Sequence, residues 1–245
     1  MSAKLIFKME FYKFFNDKKY LIIAIVLGII NFVFIHSLLG KMSTSYYGYY
    51  STSGYVGMSV FMSIIFLFIY PFHALAIDYK NNVMALMMAS GVNRTKLYFS
   101  KIGSTIITGF LLVLIVLVIP IFLATLRYAS FSDIGELLEV MMEGMNFIGM
   151  SPTLYNTYLI VSYLSTIVTI NMAVIFMKGS SAKSVLLFFG IQIVMGMITS
   201  TILDVTSNSY WLDSNDLIIN NIIVSLIVIV GFGFASLRQL NTQNL

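Results

Sequence analysis

Residues Asp78–Lys101 read DYKNNVMALMMASGVNRTKLYFSK and lie between two long runs that contain no Asp, Glu, Lys or Arg. The centre of the segment, rich in methionine and leucine, predicts a short amphipathic helix. Ser90–Gly91 predicts a break after that helix, and Asn93 is suited to cap a second one. The stretch therefore predicts a helix, a turn and a new helix start between two apolar runs.

The composition is that of a membrane protein. The chain has 245 residues, of which 59% are hydrophobic and 10% charged, whereas soluble domains average about 45–50% apolar and about 25% charged residues. The absence of cysteine excludes a disulfide framework and a thiolate metal site. The sequence lacks the phosphate loop G-x-x-x-x-G-K-S/T, the zinc motif H-E-x-x-H and the nucleophile elbow G-x-S-x-G. We expect no catalytic, cofactor-binding or metal-binding residues, and no enzyme activity in this chain by itself.

Six apolar runs are long enough to cross about 30 Å of hydrocarbon as helices. We expect an all-α integral membrane protein with a single transmembrane domain over residues 1–245. The second and fourth spans are placed late in their runs, because the preceding residues are rich in Tyr, Ser, Gly or Pro. The predicted spans are 20–40, 57–77, 102–126, 154–177, 184–203 and 217–237.

The distribution of basic residues predicts the topology. Of the 14 Lys and Arg residues, only Lys41 and Arg127 fall in the loops on one side of the six spans, and the other twelve fall on the opposite side. The positive-inside rule then places both termini and residues 78–101 in the cytoplasm, and the protein in the cytoplasmic membrane. Residues 1–19 mix lysines with aromatic residues, which predicts an interfacial elbow helix. A disordered basic tail is the alternative.

Residues 130–146 predict an amphipathic helix on the outer side, because apolar residues recur at helical spacing from Ile134 to Met145. Glu136, Glu139 and Glu143 lie off the apolar stripe and are candidates for an acidic outer lid. The alternative is a helix that rests on the outer surface with solvated glutamates.

The span interiors contain no Asp, Glu, Lys or Arg, which disfavours transport coupled to an ion gradient. His36 and His73 lie near span ends and are interpreted as interface histidines rather than proton carriers. Gly28 with Asn31 in the first span, Pro120 in the third, and Gly231 with Gly233 in the sixth mark expected close contacts or kinks. Energy for active transport would have to come from another protein.

Uncharged polar residues line one face of the fourth span and one face of the fifth. These faces have two interpretations: close helix packing supported by interhelical hydrogen bonds, or a weakly polar translocation path. The candidate path residues are Ser162, Ser165, Thr166, Thr169, Gln192 and Thr199.

The elbow, the six spans and the long loop between the second and third spans resemble the permease subunits of ABC-2 type ATP-binding-cassette exporters. In that family the loop often runs as an acid, a Gly-Thr pair, a Leu-rich turn, a break, an arginine and a lysine that opens the third span. The matching positions here are Asp78, Leu86 to Met88, Ser90 with Gly91, Arg94 and Lys101. Asn82 and Val83 replace the Gly-Thr pair, and Lys80 stands where a second acid is frequent.

The resemblance implies that residues 78–101 form a coupling helix for a separate ATPase. The implied contact residues are Val83, Met84, Leu86, Met87 and Arg94. The implied partners are two ATPase subunits that bind ATP and Mg²⁺, a second permease copy or a sister permease, and the lipid membrane, with no nucleic acid. The implied cargo is a hydrophobic or amphipathic substrate, with a peptide expected, because the chain is similar to permeases of peptide, bacteriocin-immunity and phenol-soluble modulin exporters.

Two other functions remain open at this level. A six-span substrate-binding component of an importer would need a compact pocket with convergent polar groups and no elbow helix. A passive channel would need rings of polar or charged groups along the spans. The short helix within residues 78–101 also has an alternative role, as a juxtamembrane helix with its methionine face on lipid.

Overall fold

The computed structural model of the protein describes residues 3–42, 46–81, 83–126, 151–206 and 214–242. These ranges are almost entirely helical and contain no β-strand, so the predicted all-α fold is confirmed. A π-helical turn, Leu114–Val118, joins α5 to α6. The helices are α1 (Ala3–Asn16), α2 (Lys18–Met42), α3 (Tyr46–Lys80), α4 (Val83–Ala89), α5 (Arg94–Val113), α6 (Ile119–Thr125), α7 (Pro152–Phe176), α8 (Ser181–Thr206) and α9 (Ser214–Thr242).

Six segments are long and apolar enough to cross a membrane, as predicted. They are α2, α3, the combined α5 and α6, α7, α8 and α9. The side of the membrane on which the termini lie, and the interfacial position of α1, stay predictions. The lid helix expected over residues 130–146, with Glu136, Glu139 and Glu143, lies outside the described residues.

Helix α3 is longer than the sequence predicts. It spans 35 residues from Tyr46, whereas we expected residues 46–56 to form a loop. The Tyr, Ser and Gly composition suggested that loop, but this stretch contains no proline. Its two glycines, Gly48 and Gly54, each disfavour a helix interior by only about 1 kcal/mol, against about 3 kcal/mol for a proline, so a helix can continue through the stretch.

The third span has an irregular stretch, with a π-helical turn and Pro120, beside a buried polar contact. Pro120 has no N–H to offer the carbonyl four residues earlier, which is that of Val116. Asn31 is fully buried in α2, and its Nδ2 donates to the Val116 carbonyl and to Ser63 Oγ, both at 2.8 Å. A Cβ on Gly28 would lie 2.7 Å from the Ile115 carbonyl oxygen, so only glycine permits this approach of α2. The expected close contacts at Gly28, Asn31 and Pro120 are confirmed. The one expected at Gly231 is wrong, because a Cβ there would meet no atom of the described residues within 4 Å, and a Cβ on Gly233 would make only an ordinary contact, 3.6 Å from the Tyr98 hydroxyl.

Helix α7 lies at the centre of the bundle. In its most apolar stretch 56% of the residues are buried, compared with 11% in α8 and in α9. It packs along α9 and also contacts α3, α5 and α8, while α2 packs against α3 and α6. The outer faces of α8 and α9 are therefore the most open in the chain.

One hydrophobic cluster joins both ends of the chain to the short helix α4. Its buried members include Ile6 of α1, Met87 of α4, Leu97 of α5 and Leu240 of α9. We call this side of the bundle the α4 end. Helix α4 is thus part of the packed structure and not a detached loop.

Candidate functional site

Helix α4 and its connection to α5 are defined by local hydrogen bonds. Helix α4 ends before Gly91, which has a φ of +76°, and the N–H of Val92 donates to the Met87 carbonyl at 3.2 Å. This is a Schellman motif, in which a residue with positive φ satisfies the last helical carbonyls. Asn93 Oδ1 then accepts from the N–H groups of Thr95 and Lys96, at 2.9 and 3.3 Å. The predicted helix, break and capped helix start are confirmed.

The exposed face of α4 differs from the one implied by the resemblance. Leu86 is 68% exposed, but Met87 is only 7% exposed, and Val83 packs against the same core cluster. Met87 therefore does not present its side chain to a partner, which corrects the implied contact set. The Schellman motif explains the difference, because it brings Met87 against the buried Val92. Met84 lies within α4, and its side chain is outside the described part.

Arg94 binds within the chain. Its Nη1 donates to the carbonyls of Leu240 and Asn241 at 2.7 and 2.8 Å. These carbonyls belong to the last turn of α9, where helical partners are missing and the helix dipole favours a positive charge. Arg94 thus joins the first turn of α5 to the end of α9.

Four charged residues form an ion cluster where α1 meets α3 and α5. Asp78 pairs with Lys101 and with Lys13, the latter at 2.7 Å, and Glu10 lies 3.2 Å from Lys13 and 3.5 Å from Lys101. Sequence reasoning missed this cluster, because its members are up to 91 positions apart in the chain and only the fold brings them together.

The cluster is balanced and largely buried. The side chains of Asp78, Lys101 and Glu10 are 3%, 5% and 9% exposed. Burial acts to lower the pKa of the Lys13 ammonium, but the carboxylates of Glu10 and Asp78 outweigh it and hold that pKa above its ordinary value. Lys13 therefore keeps its positive charge at neutral pH, and the two acids and two lysines compensate one another.

All six candidate path residues line one cavity of about 410 Å³ between α7, α8 and α9, which we call the polar cavity. Helix α9 adds Asn221 and Ser225, which the sequence analysis did not single out. Their i, i+4 spacing, which places both on one face of α9, was the available signal. The path residues lining the cavity are Ser162, Ser165, Thr166 and Thr169 from α7 and Gln192 and Thr199 from α8.

Among the residues that the structure describes, no charged group lines the polar cavity. The hydroxyls of Thr166, Thr169 and Thr199 donate to carbonyls of their own helices at 2.8–2.9 Å, which leaves their oxygens as acceptors. The amides of Gln192 and Asn221 supply donors. Such a surface can hydrogen-bond a neutral polar group, but it offers neither a nucleophile–base pair nor a cation ligand set. Within the described ranges no group of three or more His, Asp or Glu could hold a metal ion.

No family model, no curated protein and no solved structure matches the chain.

Proposed function

We propose that the chain is the membrane-spanning permease subunit of an ATP-driven ABC exporter. It moves a hydrophobic or amphipathic substrate, expected to be a peptide, out of the cell. Two copies of a separate ATPase subunit bind ATP and Mg²⁺, and a second permease copy or a sister permease completes the complex. This subunit is non-catalytic and lies in the cytoplasmic membrane, with the α4 end in the cytoplasm.

The observation that carries the proposal is the presentation of Leu86. A large apolar side chain, 68% exposed, projects from a short helix whose other described large apolar side chains, Val83 and Met87, pack against the core cluster. A rigidly held apolar anchor on a helix is suited to a hydrophobic groove on a partner protein. A mobile loop could not transmit force in this way, whereas Val83 and Met87 hold α4 against the core cluster.

A continuous set of contacts leads from α4 to the polar cavity. Met87 and Val92 belong to the core cluster at the α4 end, and Arg94 ties the start of α5 to the end of α9. Helix α9 in turn lines the polar cavity through Asn221 and Ser225. A push on Leu86 would therefore move α5 and α9 together as semi-rigid elements and change the shape of the cavity.

One observation favours the importer-component alternative. The polar cavity is compact and its hydroxyl and amide groups converge, as a substrate-capture subunit would need. The two functions differ in their use of α4, because only the exporter subunit requires Leu86 to contact an ATPase directly.

Co-purification with the ATPase encoded beside this chain tests the proposal. We expect Leu86→Asp to lower ATPase recovery by about tenfold or more, because a charge replaces an apolar anchor. Leu86→Met should bind normally, and Thr95→Asp serves as the control, since Thr95 is exposed on the same segment and its substitution adds the same charge in the first turn of α5, where the helix dipole favours it. Undiminished binding by Leu86→Asp would reject the coupling role.

The cargo is tested separately. Cells that lack the chain should become sensitive to, or accumulate, amphipathic peptides that the intact transporter exports. Unchanged handling of such peptides, with ATPase binding intact, would reject the peptide cargo and leave the coupling role standing.

A further inference from the structure

A second cavity, of about 710 Å³, lies where α1 meets the bundle, and we call it the elbow cavity. Its walls come from the second half of α1, the first turn of α2, the last turns of α3 and the first half of α5. It shares no lining residue with the polar cavity. The elbow cavity is thus a separate site at the α4 end.

Every acidic residue in the lining of the elbow cavity has a partner. Asp78 and Glu10 belong to the ion cluster with Lys13 and Lys101. The third acid, Asp17, has its Oδ2 3.4 Å from Nε2 of His73. His73 offsets the Asp17 charge only when its imidazole is protonated. With a neutral His73 the described lining holds three acids against four lysines, so its net charge is positive.

Two lysines in the lining of the elbow cavity have no acidic partner among the described residues. Lys18 and Lys19 line the cavity and are exposed, and no acidic group of the described residues lies within 4.0 Å of either ammonium. They stand at the rim, whereas Lys13 and Lys101 are occupied by carboxylates. The electrostatic preference of the cavity is set by this pair and favours an anionic group.

The remaining walls and the position along the chain suit a lipid. Phe14, Leu75 and Ile77 supply apolar surface inside the cavity. Lys18 is the first residue of a 22-residue apolar span, which places both lysines at the boundary between hydrocarbon and headgroups. The 68% exposed ring of Tyr12, also in the lining, suits the same depth.

We propose that the elbow cavity binds one anionic phospholipid, with its phosphate against Lys18 and Lys19 and an acyl chain along the apolar wall. A zwitterionic lipid brings its own cation next to the phosphate and gains less from the two lysines. The site differs from diffuse attraction between a basic helix and a charged surface, because diffuse attraction counts all exposed lysines of the elbow alike. The inference does not depend on the transport function proposed above.

Thermal unfolding of the full chain in detergent tests the site. Phosphatidylglycerol should raise the unfolding midpoint by about 5 °C more than phosphatidylcholine with the same acyl chains. Lys18→Gln/Lys19→Gln should abolish this difference, and Lys18→Arg/Lys19→Arg should keep it. The matched control is Lys4→Gln/Lys8→Gln, which removes the same charge from exposed positions of α1 outside the cavity and should also keep the difference.

The outcomes separate the sources of binding. An equal loss in the control variant would overturn the proposal in favour of diffuse attraction, and a retained difference in Lys18→Gln/Lys19→Gln would show that these lysines form no site. An equal rise with sodium phosphate alone would replace the lipid by a free phosphate anion. If the Gln variant does not fold, native mass spectrometry of the unmodified chain decides: one retained phosphatidylglycerol per chain supports the site, and none overturns it.

Discussion

At the scale of single residues, the ion cluster around Asp78 is the most consequential feature. Asp78 and Lys101 are the two ends of the segment that contains α4, and their side chains meet inside the protein. Taking charges out of water is costly, and a buried pair repays that cost only when both partners are present. The cluster therefore joins the two ends of this segment and connects α1, through Lys13 and Glu10, to the second and third spans.

This arrangement predicts a non-additive pair of substitutions. Asp78→Leu leaves Lys101 with only the more distant Glu10 and should destabilise the protein by about 3–5 kcal/mol. Asp78→Leu/Lys101→Met removes both charges and should be clearly more stable than Asp78→Leu alone. Thermal unfolding midpoints and monodisperse yield in detergent measure the effect. Additive losses in the double variant would contradict the view that Asp78 and Lys101 depend on each other.

At the scale of elements, the third span shows how a neighbouring helix compensates for a proline. Pro120 leaves the Val116 carbonyl without its helical donor, and the π-helical turn marks the irregularity in the same stretch. Asn31 of α2 supplies the missing donor from the side. Within a membrane no water can donate to a free carbonyl. The side-chain donor that replaces the missing N–H therefore determines which helix can lie next to this irregular stretch.

A second double-substitution experiment tests this compensation. Asn31→Leu should destabilise the protein by about 1–3 kcal/mol, because a buried carbonyl loses its donor. In a Pro120→Ala background the residue at position 120 regains an N–H that can reach Val116, so the same Asn31→Leu change should cost less. Unfolding midpoints of the four proteins give the comparison. An equal cost of Asn31→Leu in both backgrounds would show that Asn31 acts elsewhere, for example through Ser63.

At the scale of the whole molecule, the bundle has two ends of different character. The α4 end gathers the ion cluster, the core cluster that includes Leu240, and most of the basic residues. Thr153, in the first turn of α7, lies at the opposite end, because α7 runs from there to Ile175 in the α4-end cluster. The positive-inside rule predicts that the α4 end lies on the cytoplasmic side of the membrane and that the opposite end lies outside.

Cysteine labelling can check that assignment directly, because the chain contains no cysteine of its own. Thr153→Cys should react with a membrane-impermeant maleimide added to intact cells, and Ser90→Cys should react only after the membrane is opened. Both positions are exposed, so unequal reactivity reports the side and not burial. The reverse pattern would place the α4 end outside and would remove the basis for an intracellular ATPase partner.

Cysteine labelling also tests whether the polar residues of the polar cavity form a translocation path or serve helix packing alone. Ser225→Cys in the cavity should react with a water-soluble thiol reagent, and its rate should change by at least about threefold when ATP is added to the assembled transporter. Ile227→Cys, two residues along α9 and 62% exposed on the outer surface, is the control and should stay unreactive within lipid. If Ser225→Cys is as unreactive as the control, the polar residues serve packing alone.

Much of the fold follows from local sequence. The length of the apolar runs predicts six membrane-spanning helices, and Gly91 and Asn93 predict the end of α4 and the start of α5. The end of α4 and the start of α5 depend on residues within one turn, through a positive φ and a capping side chain. Each span depends on the hydropathy of one continuous run of residues. The path residues of α7 and α8 were also identifiable, because helical periodicity places them on single faces.

Other features depend on contacts between residues far apart in the chain. Only the packed structure turns Met87 inward and Leu86 outward, directs Arg94 to the end of α9, and assembles Lys13, Asp78 and Lys101 into one cluster. Helical periodicity predicts which side chains share a face of a helix, but not which other helix packs against that face. The sequence by itself thus determined the helices and their polar faces. The tertiary structure decided which charges are buried together and which side chain of α4 stays exposed, because burial and charge compensation arise only when distant helices come into contact.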